Sequence, residues 1–226
     1  MWTLLNKLGE GGNGAVYLVR SPAGVRVAVK LLLSPEDAAH MEAEASLLLR
    51  LRHPGIAQFH GYLKESREIF GEERGPCFWM EHIDGDDLGV AAAQLAADRE
   101  RTIIGWFHQA LEALNYLHRE KVCHGDLTPG NLKVDAAGRV RLIDFGLAAI
   151  GRAERSGHEG TLLYMAPERF QGIQDAEGDL FSLGTVFYEV LAGRHPREGF
   201  RSLSAMFRNV PKPLAEAVPV LEKDFA

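Results

Sequence analysis

The chain has 226 residues, 46% of them hydrophobic, long enough to bury a sizeable core in one domain or two lobes. Its net charge of −6 argues against a nucleic-acid partner, which demands a basic face. No cationic leader precedes an apolar stretch and no run approaches a membrane span, so the sequence predicts a soluble, cytoplasmic protein with no membrane partner.

In chain order, the first eighty residues read as strands and turns broken by one helix. Apolar or alternating runs at Ala15–Val19, Val25–Leu32, Ala57–Leu63 and Cys77–Ile83 predict strands. The helix starts where Ser34 can cap it, with Pro35 at its first position and Asp37 completing a capping box, and Pro54 and Gly55 end it. Asp84-Gly85-Asp86-Asp87 reads as a hinge. Beyond it the chain turns helical: Asp98–Arg119 is amphipathic, and Asp179–Leu191 is apolar on nearly every face, which places it mid-domain. Between these helices Leu132–Val134 and Val140–Ile143, joined across Asp135–Gly138, predict a small hairpin. A β-rich lobe hinged to a helical lobe leaves a cleft, a common ligand site.

The residues that carry chemistry follow the same order. Gly9, Gly11 and Gly14 lie in a turn between two strands, not between a strand and a helix, which argues against a dinucleotide-binding or Walker-type loop. Glycines here let backbone amides approach a phosphate closely. Alternation puts Ala28 and Lys30 on one strand face towards the cleft, where a lysine is costly unless it meets a phosphate or a carboxylate. Met41, Glu44, Leu48 and Leu51 share a helix face, so Glu44 is a charge embedded in an apolar stripe. Asp126, Asn131 and Asp144 sit in two Asp/Asn-bearing turns, oxygen donors suited to a hard cation. Cys77 and Cys123 give neither disulfide framework nor metal-ligand spacing; a reducing compartment follows, and Cys123 reads as a packing thiol.

Five strings occur in order: Gly9-Glu10-Gly11-Gly12-Asn13-Gly14-Ala15-Val16, Val27-Ala28-Val29-Lys30, His124-Gly125-Asp126 with Asn131, Asp144-Phe145-Gly146, and Ala166-Pro167-Glu168. Together they resemble the protein-kinase superfamily, most closely the serine/threonine kinases of bacteria, from about Leu4 to Gly193. The resemblance implies an α+β bilobal fold, with residues 1–80 as the small β-rich lobe, 81–87 as the hinge and 88–226 as a helical lobe shortened after about residue 193. It implies ATP and Mg²⁺ as cofactors and a protein serine or threonine hydroxyl as acceptor. Leu8, Gly9, Glu10, Gly11, Gly12, Asn13, Gly14 and Val16 would cover the nucleotide. Ala28 would lie against adenine and Met80 at the back of the pocket, with the backbone of Glu81 and Ile83 on the adenine edge. Lys30 would hold phosphates and pair with Glu44. Asp126 would act as catalytic base, with Thr161 contacting it, and Asn131 and Asp144 would bind the metal. His124 and Phe145 would be core residues, and Asp179 would bond the catalytic-loop backbone.

Three departures qualify the likeness. The arginine usual between the histidine and aspartate is Gly125, and the lysine usual two residues after the aspartate is Thr128. Lys133 stands where an apolar residue lies beneath adenine; its stem is expected to pack there while the ammonium reaches water. The family's last helices have no clear counterpart after Gly193. A small-molecule kinase and a non-catalytic kinase-fold scaffold stay open as alternatives. Gly160–Glu168, similar to a peptide-binding segment, argues against the first, and the full set of Lys30, Glu44, Asp126, Asn131 and Asp144 argues against the second.

Overall fold

The computed structural model describes residues 1–11, 14–31, 45–72, 74–144, 163–171 and 175–196. Five antiparallel strands form the first sheet: β1 (Thr3–Gly11), β2 (Gly14–Arg20), β3 (Arg26–Leu31), β4 (Phe59–Leu63) and β5 (Cys77–Glu81), in the order β1-β2-β3-β5-β4. Register explains its two faces. Leu18, Ala28 and Met80 stand opposite one another, as do Val16, Lys30 and Phe78. With a side-chain period of two, these six share one face. Ala28, Phe78 and Met80 join the main core on that side, while Val19, Val27, Val29 and Cys77 pack into a second cluster on the other.

A short helix, α1 (Arg67–Phe70), precedes β5. After β5 comes a three-stranded sheet of β6 (Gly85–Asp87), β7 (Leu132–Asp135) and β8 (Val140–Leu142). Helices α2 (Leu88–Ala93), α3 (Arg99–Arg119) and α4 (Ala176–Ala192) complete the described α-helices. On α3, Ile103, Trp106, Ala110, Ala113, Leu114 and Leu117 are buried, at the spacing of one helix face. Asp175 caps α4 through its side chain, and Gly193 ends it in a left-handed turn. Arg99 of α3 then donates to the Val190 and Leu191 carbonyls at the end of α4, satisfying groups the helix leaves over.

The hairpin of β7 and β8 and the two long helices form where the sequence predicts them. Residues 84–87, read as a hinge, include the short strand β6, which pairs with β7. Their acidic, glycine-bearing composition hides a strand that forms only because β7 offers an edge. The helix read from Ser34 to Pro54 lies mostly outside the described residues; helical backbone is described at residues 45–48 and gives way to a turn before Pro54. Among the described residues no helix is long and apolar enough to cross a membrane.

Candidate active site

The loop after α3 carries Asp126, and three contacts fix it. His124 is fully buried. Its Nδ1 accepts from the Asp126 amide at 3.3 Å, and its Nε2–H donates to the Ile143 carbonyl at 3.1 Å. One neutral tautomer satisfies both partners. Burial pushes this imidazole below its ordinary value, against the opposing pull of Asp179, Asp126 and Asp144. Asn131 lies in a 3-10 turn (Pro129–Asn131), and its amide nitrogen donates to the Asp126 carbonyl at 2.7 Å and to Asp126 Oδ2 at 3.1 Å. The other carboxylate oxygen, Asp126 Oδ1, is buried without a hydrogen-bond partner among the described residues.

The same contacts bring Asp144 to the loop. The Ile143 amide donates to the Asn131 carbonyl at 3.0 Å, while its own carbonyl receives His124. Asp144 follows directly, in a left-handed conformation with φ 51° that aspartate tolerates better than most residues. The Asn131 nitrogen is engaged with Asp126, which leaves its oxygen, the atom a hard cation takes. An amide oxygen and a carboxylate are donors that a hard cation can take, with waters completing its shell. Lys30 of β3 forms an ion pair with Asp144 Oδ1. Glu44, read as the partner of Lys30, lies outside the described residues, as do Gly12, Asn13 and Thr161.

Beneath the loop a single carboxylate gathers its backbone. Asp179 of α4 is fully buried, and its Oδ2 accepts from the His124 amide at 2.7 Å and from His118 Nε2 at 2.8 Å. Its Oδ1 accepts from the Gly125 amide at 2.9 Å and from Arg169 at 2.7 Å. Burial opposes the charge, but the bond from His118, the neighbouring Arg169 and the Gly125 amide outweigh it and hold the carboxyl below its ordinary range. Gly125 has φ 82°, in the left-handed region that glycine enters without steric cost. Burial pushes the nearby Cys123 thiol up, which keeps it protonated and fits a packing role.

The residues read as nucleotide-binding lie along the sheet. Gly9, Gly11 and Gly14, read as a turn between strands, lie within β1 and β2 themselves, Gly9 paired with Val16 and Gly11 with Gly14. Open space lies over Gly9, and Leu8 and Glu10 are exposed. Ala28 and Met80 are direct cross-strand partners, both buried. The Glu81 amide donates to the Gln58 carbonyl at 2.7 Å, so that amide is already engaged. Ile83 is buried, and no backbone hydrogen bond among the described residues uses its amide or carbonyl.

Four charged contacts escape the sequence reading. The Lys133 ammonium, read as reaching water, also finds a carboxylate: it donates to Asp87 at 2.7 Å, its partly exposed cross-strand partner in β6. Arg141 of β8 is buried, and donates to Glu81 Oε2 at 2.5 Å and to the Ile56 carbonyl at 3.2 Å. His118 and Arg169 both serve Asp179. The signal for these last two was present, because an aspartate inside an apolar helix needs more than two amide donors to hold its charge.

A protein kinase domain model matches residues 2–221, past the Gly193 at which the motif likeness fades. The chain is similar to the serine/threonine-protein kinase PknA of Mycobacterium tuberculosis, at 33% identity over 94% of this chain and 51% of that protein. It is also similar to CBL-interacting serine/threonine-protein kinase 19 of Arabidopsis thaliana, at 32% identity over 90% of this chain and 43% of that protein. CBL-interacting protein kinase 25 of Oryza sativa subsp. japonica is 31% identical over 97% of this chain and 45% of its own length. The chain thus spans about half the length of the relatives it matches. A β-rich N-terminal sheet, a helical remainder and a match across almost the whole sequence establish that the chain belongs to the protein kinase family.

Proposed function

We propose that the chain transfers the γ-phosphoryl group of ATP to serine or threonine hydroxyls of a protein, with Asp126 as catalytic base. The observation that carries this is the Asp126 carboxylate. Oδ2 is held by Asn131, while Oδ1 is buried without a partner among the described residues. A buried carboxylate oxygen left unpaired is costly, and at an active site it is the atom that meets an incoming hydroxyl. The acceptor oxygen attacks phosphorus in line, the bond to the bridging oxygen breaks, and the hydroxyl proton passes to Asp126. Lys30 and the glycine turn orient the phosphates, and Ala28, Met80 and the hinge backbone at Glu81 and Ile83 hold the base. Asn131 and Asp144 would hold Mg²⁺, which neutralises charge on the phosphates when bound.

The names of the relatives support serine and threonine as acceptors. We propose further that activity does not depend on a phosphorylated activation segment. Gly125 offers no cation to receive a phosphate, and the nearby Arg169 is already committed to Asp179. The test is incubation with labelled ATP, Mg²⁺ and a generic protein acceptor, comparing wild type with Asp126→Asn. Label on serine and threonine, lost in the variant, is the expected result. Equal labelling by both proteins would defeat the assignment of Asp126.

A further inference from the structure

We propose that Arg169 is a positioning residue for the catalytic loop, fixing through its guanidinium the peptide that leads into Asp126. The inference rests on the reading of Asp126 as catalytic base. Arg169 rises from a 3-10 turn (Pro167–Gln171) and is buried. One guanidinium nitrogen donates to the Gly125 carbonyl, and another donates to Asp179 Oδ1 at 2.7 Å. Asp179 Oδ1 also accepts the Gly125 amide at 2.9 Å. Both backbone groups of Gly125 therefore end on the Arg169–Asp179 pair.

That closure acts on Asp126 through a single peptide plane. The Gly125 carbonyl and the Asp126 amide belong to the same peptide unit, and a planar peptide turns as one body. Arg169 holds its oxygen and His124 Nδ1 holds its N–H, the latter at 3.3 Å. Glycine at φ 82° has the widest conformational freedom of any residue, so an untethered plane here would swing the Asp126 side chain with it. Only a fork of planar donors spans a carbonyl and a carboxylate at once; a lysine ammonium on a flexible stem does not reproduce it.

The first turn of α4 is shaped to admit this group. A Cβ added at Gly178 would stand 2.8 Å from Arg169 Nε, closer than real Cβ contacts come, and 3.2 Å from Asp175 Oδ1. Arg169 Nε itself is buried without a partner among the described residues. The guanidinium is therefore oriented by its two end nitrogens, while Nε plays no part in holding it.

The experiment measures transfer at saturating ATP and, separately, ATP affinity by fluorescent-nucleotide titration. Its variants are Arg169→Met, Arg169→Lys, Gly178→Ala and the Arg169→Met/Gly178→Ala double. The expected result is a fall in kcat of tenfold or more in Arg169→Met with ATP affinity within twofold of wild type, and partial recovery in Arg169→Lys. Gly178→Ala lowers kcat in the wild-type background and has no further effect in Arg169→Met. Unchanged kcat in Arg169→Met overturns the proposal, as does a parallel loss of nucleotide binding or a Gly178→Ala effect that simply adds. If Arg169→Met does not fold, Gly178→Ala decides alone: lowered kcat with ATP binding retained supports the role, and unchanged kcat overturns it. A wild-type protein that binds ATP but transfers nothing overturns the function reading first, and this inference with it.

Discussion

Lys30 on β3 and Asp144 after β8 are 114 residues apart in sequence and joined as an ion pair. The pair links the five-stranded sheet to the segment behind the catalytic loop. Lys30 is almost wholly buried, while the Asp144 side chain is 27% exposed. Removing the lysine leaves a part-buried carboxylate without its cation. Lys30→Met should therefore destabilise the fold at or below the lower end of the ~3–5 kcal/mol typical of broken buried pairs, besides nearly abolishing transfer. Urea unfolding is the check, and an unchanged midpoint would mean that another cation serves Asp144.

Asp144 and Asp126 should separate when binding and turnover are measured independently. Asp144→Asn removes a hard oxygen charge from the proposed metal site and should weaken Mg²⁺-dependent ATP binding. Asp126→Asn should leave that binding nearly intact while lowering transfer by about 10²–10⁴-fold, the usual worth of a positioned base. Titration of nucleotide with and without Mg²⁺ tests both. Loss of ATP affinity in Asp126→Asn would count against the division of roles.

Acid should destabilise the protein through its histidines. His124 and His53 both have values lowered chiefly by burial from the ordinary 6.5. Both also use Nδ1 as an acceptor, His53 from the Gly55 amide at 3.1 Å. A histidine depressed in the folded state takes up its proton in the unfolded chain first. Its contribution is complete above about 6.5 and is lost as the pH falls from there through the folded-state value. The urea midpoint should drop between pH 7.5 and 5.5. His53→Asn, which supplies a non-titrating oxygen to Gly55, should make the drop shallower; an unaltered slope would remove His53 from the account.

What was legible in the sequence was whatever rests on local pattern. Alternation placed Ala28 and Lys30 on one face, and the register confirms it, since Val16 and Phe78 flank Lys30 and Leu18 and Met80 flank Ala28. The apolar period found α3 and α4, and the turn between β7 and β8 announced their hairpin. The role of Asp179 as the loop's anchor came from the family resemblance and not from local pattern. What escaped depends on partners far apart in sequence. Arg169 meets Gly125 across 44 residues, Arg141 meets Glu81 across 60, and Lys133 meets Asp87 across 46. No periodicity encodes such pairs, and a charge in a strand reads as solvated until the fold supplies its neighbour.

Glu81 and Arg141 offer a direct measure of one such hidden contact. The carboxylate also accepts the Gln58 amide at 3.2 Å, so it ties β8 to both β5 and the residues before β4. Glu81→Gln should cost about 1.5–3 kcal/mol, the range for a hydrogen bond to a charged group, because Arg141 stays buried without its counter-charge. Replacing both residues, as Glu81→Gln with Arg141→Met, should recover part of that loss. A double-mutant cycle in urea reads the coupling directly, and strict additivity would show the two side chains to be energetically independent.

Control is the last consequence of Gly125. In many kinases an arginine at this place receives the phosphate of an activation segment through charge-assisted bonds. Here the position is glycine at φ 82°, a conformation costly for any side chain. The guanidinium beside it, that of Arg169, is buried and engaged by Asp179 and the Gly125 carbonyl, so it presents no free charge to a phosphoserine. Ser156 is the candidate acceptor in the segment; it lies outside the described residues, with Arg152 and Arg155 as its near cations in sequence. Dephosphorylated protein and Ser156→Ala should both keep the wild-type initial rate. A tenfold fall in either, about 1.4 kcal/mol in the barrier, would mean that a phosphate is required after all and that a cation other than Arg169 receives it.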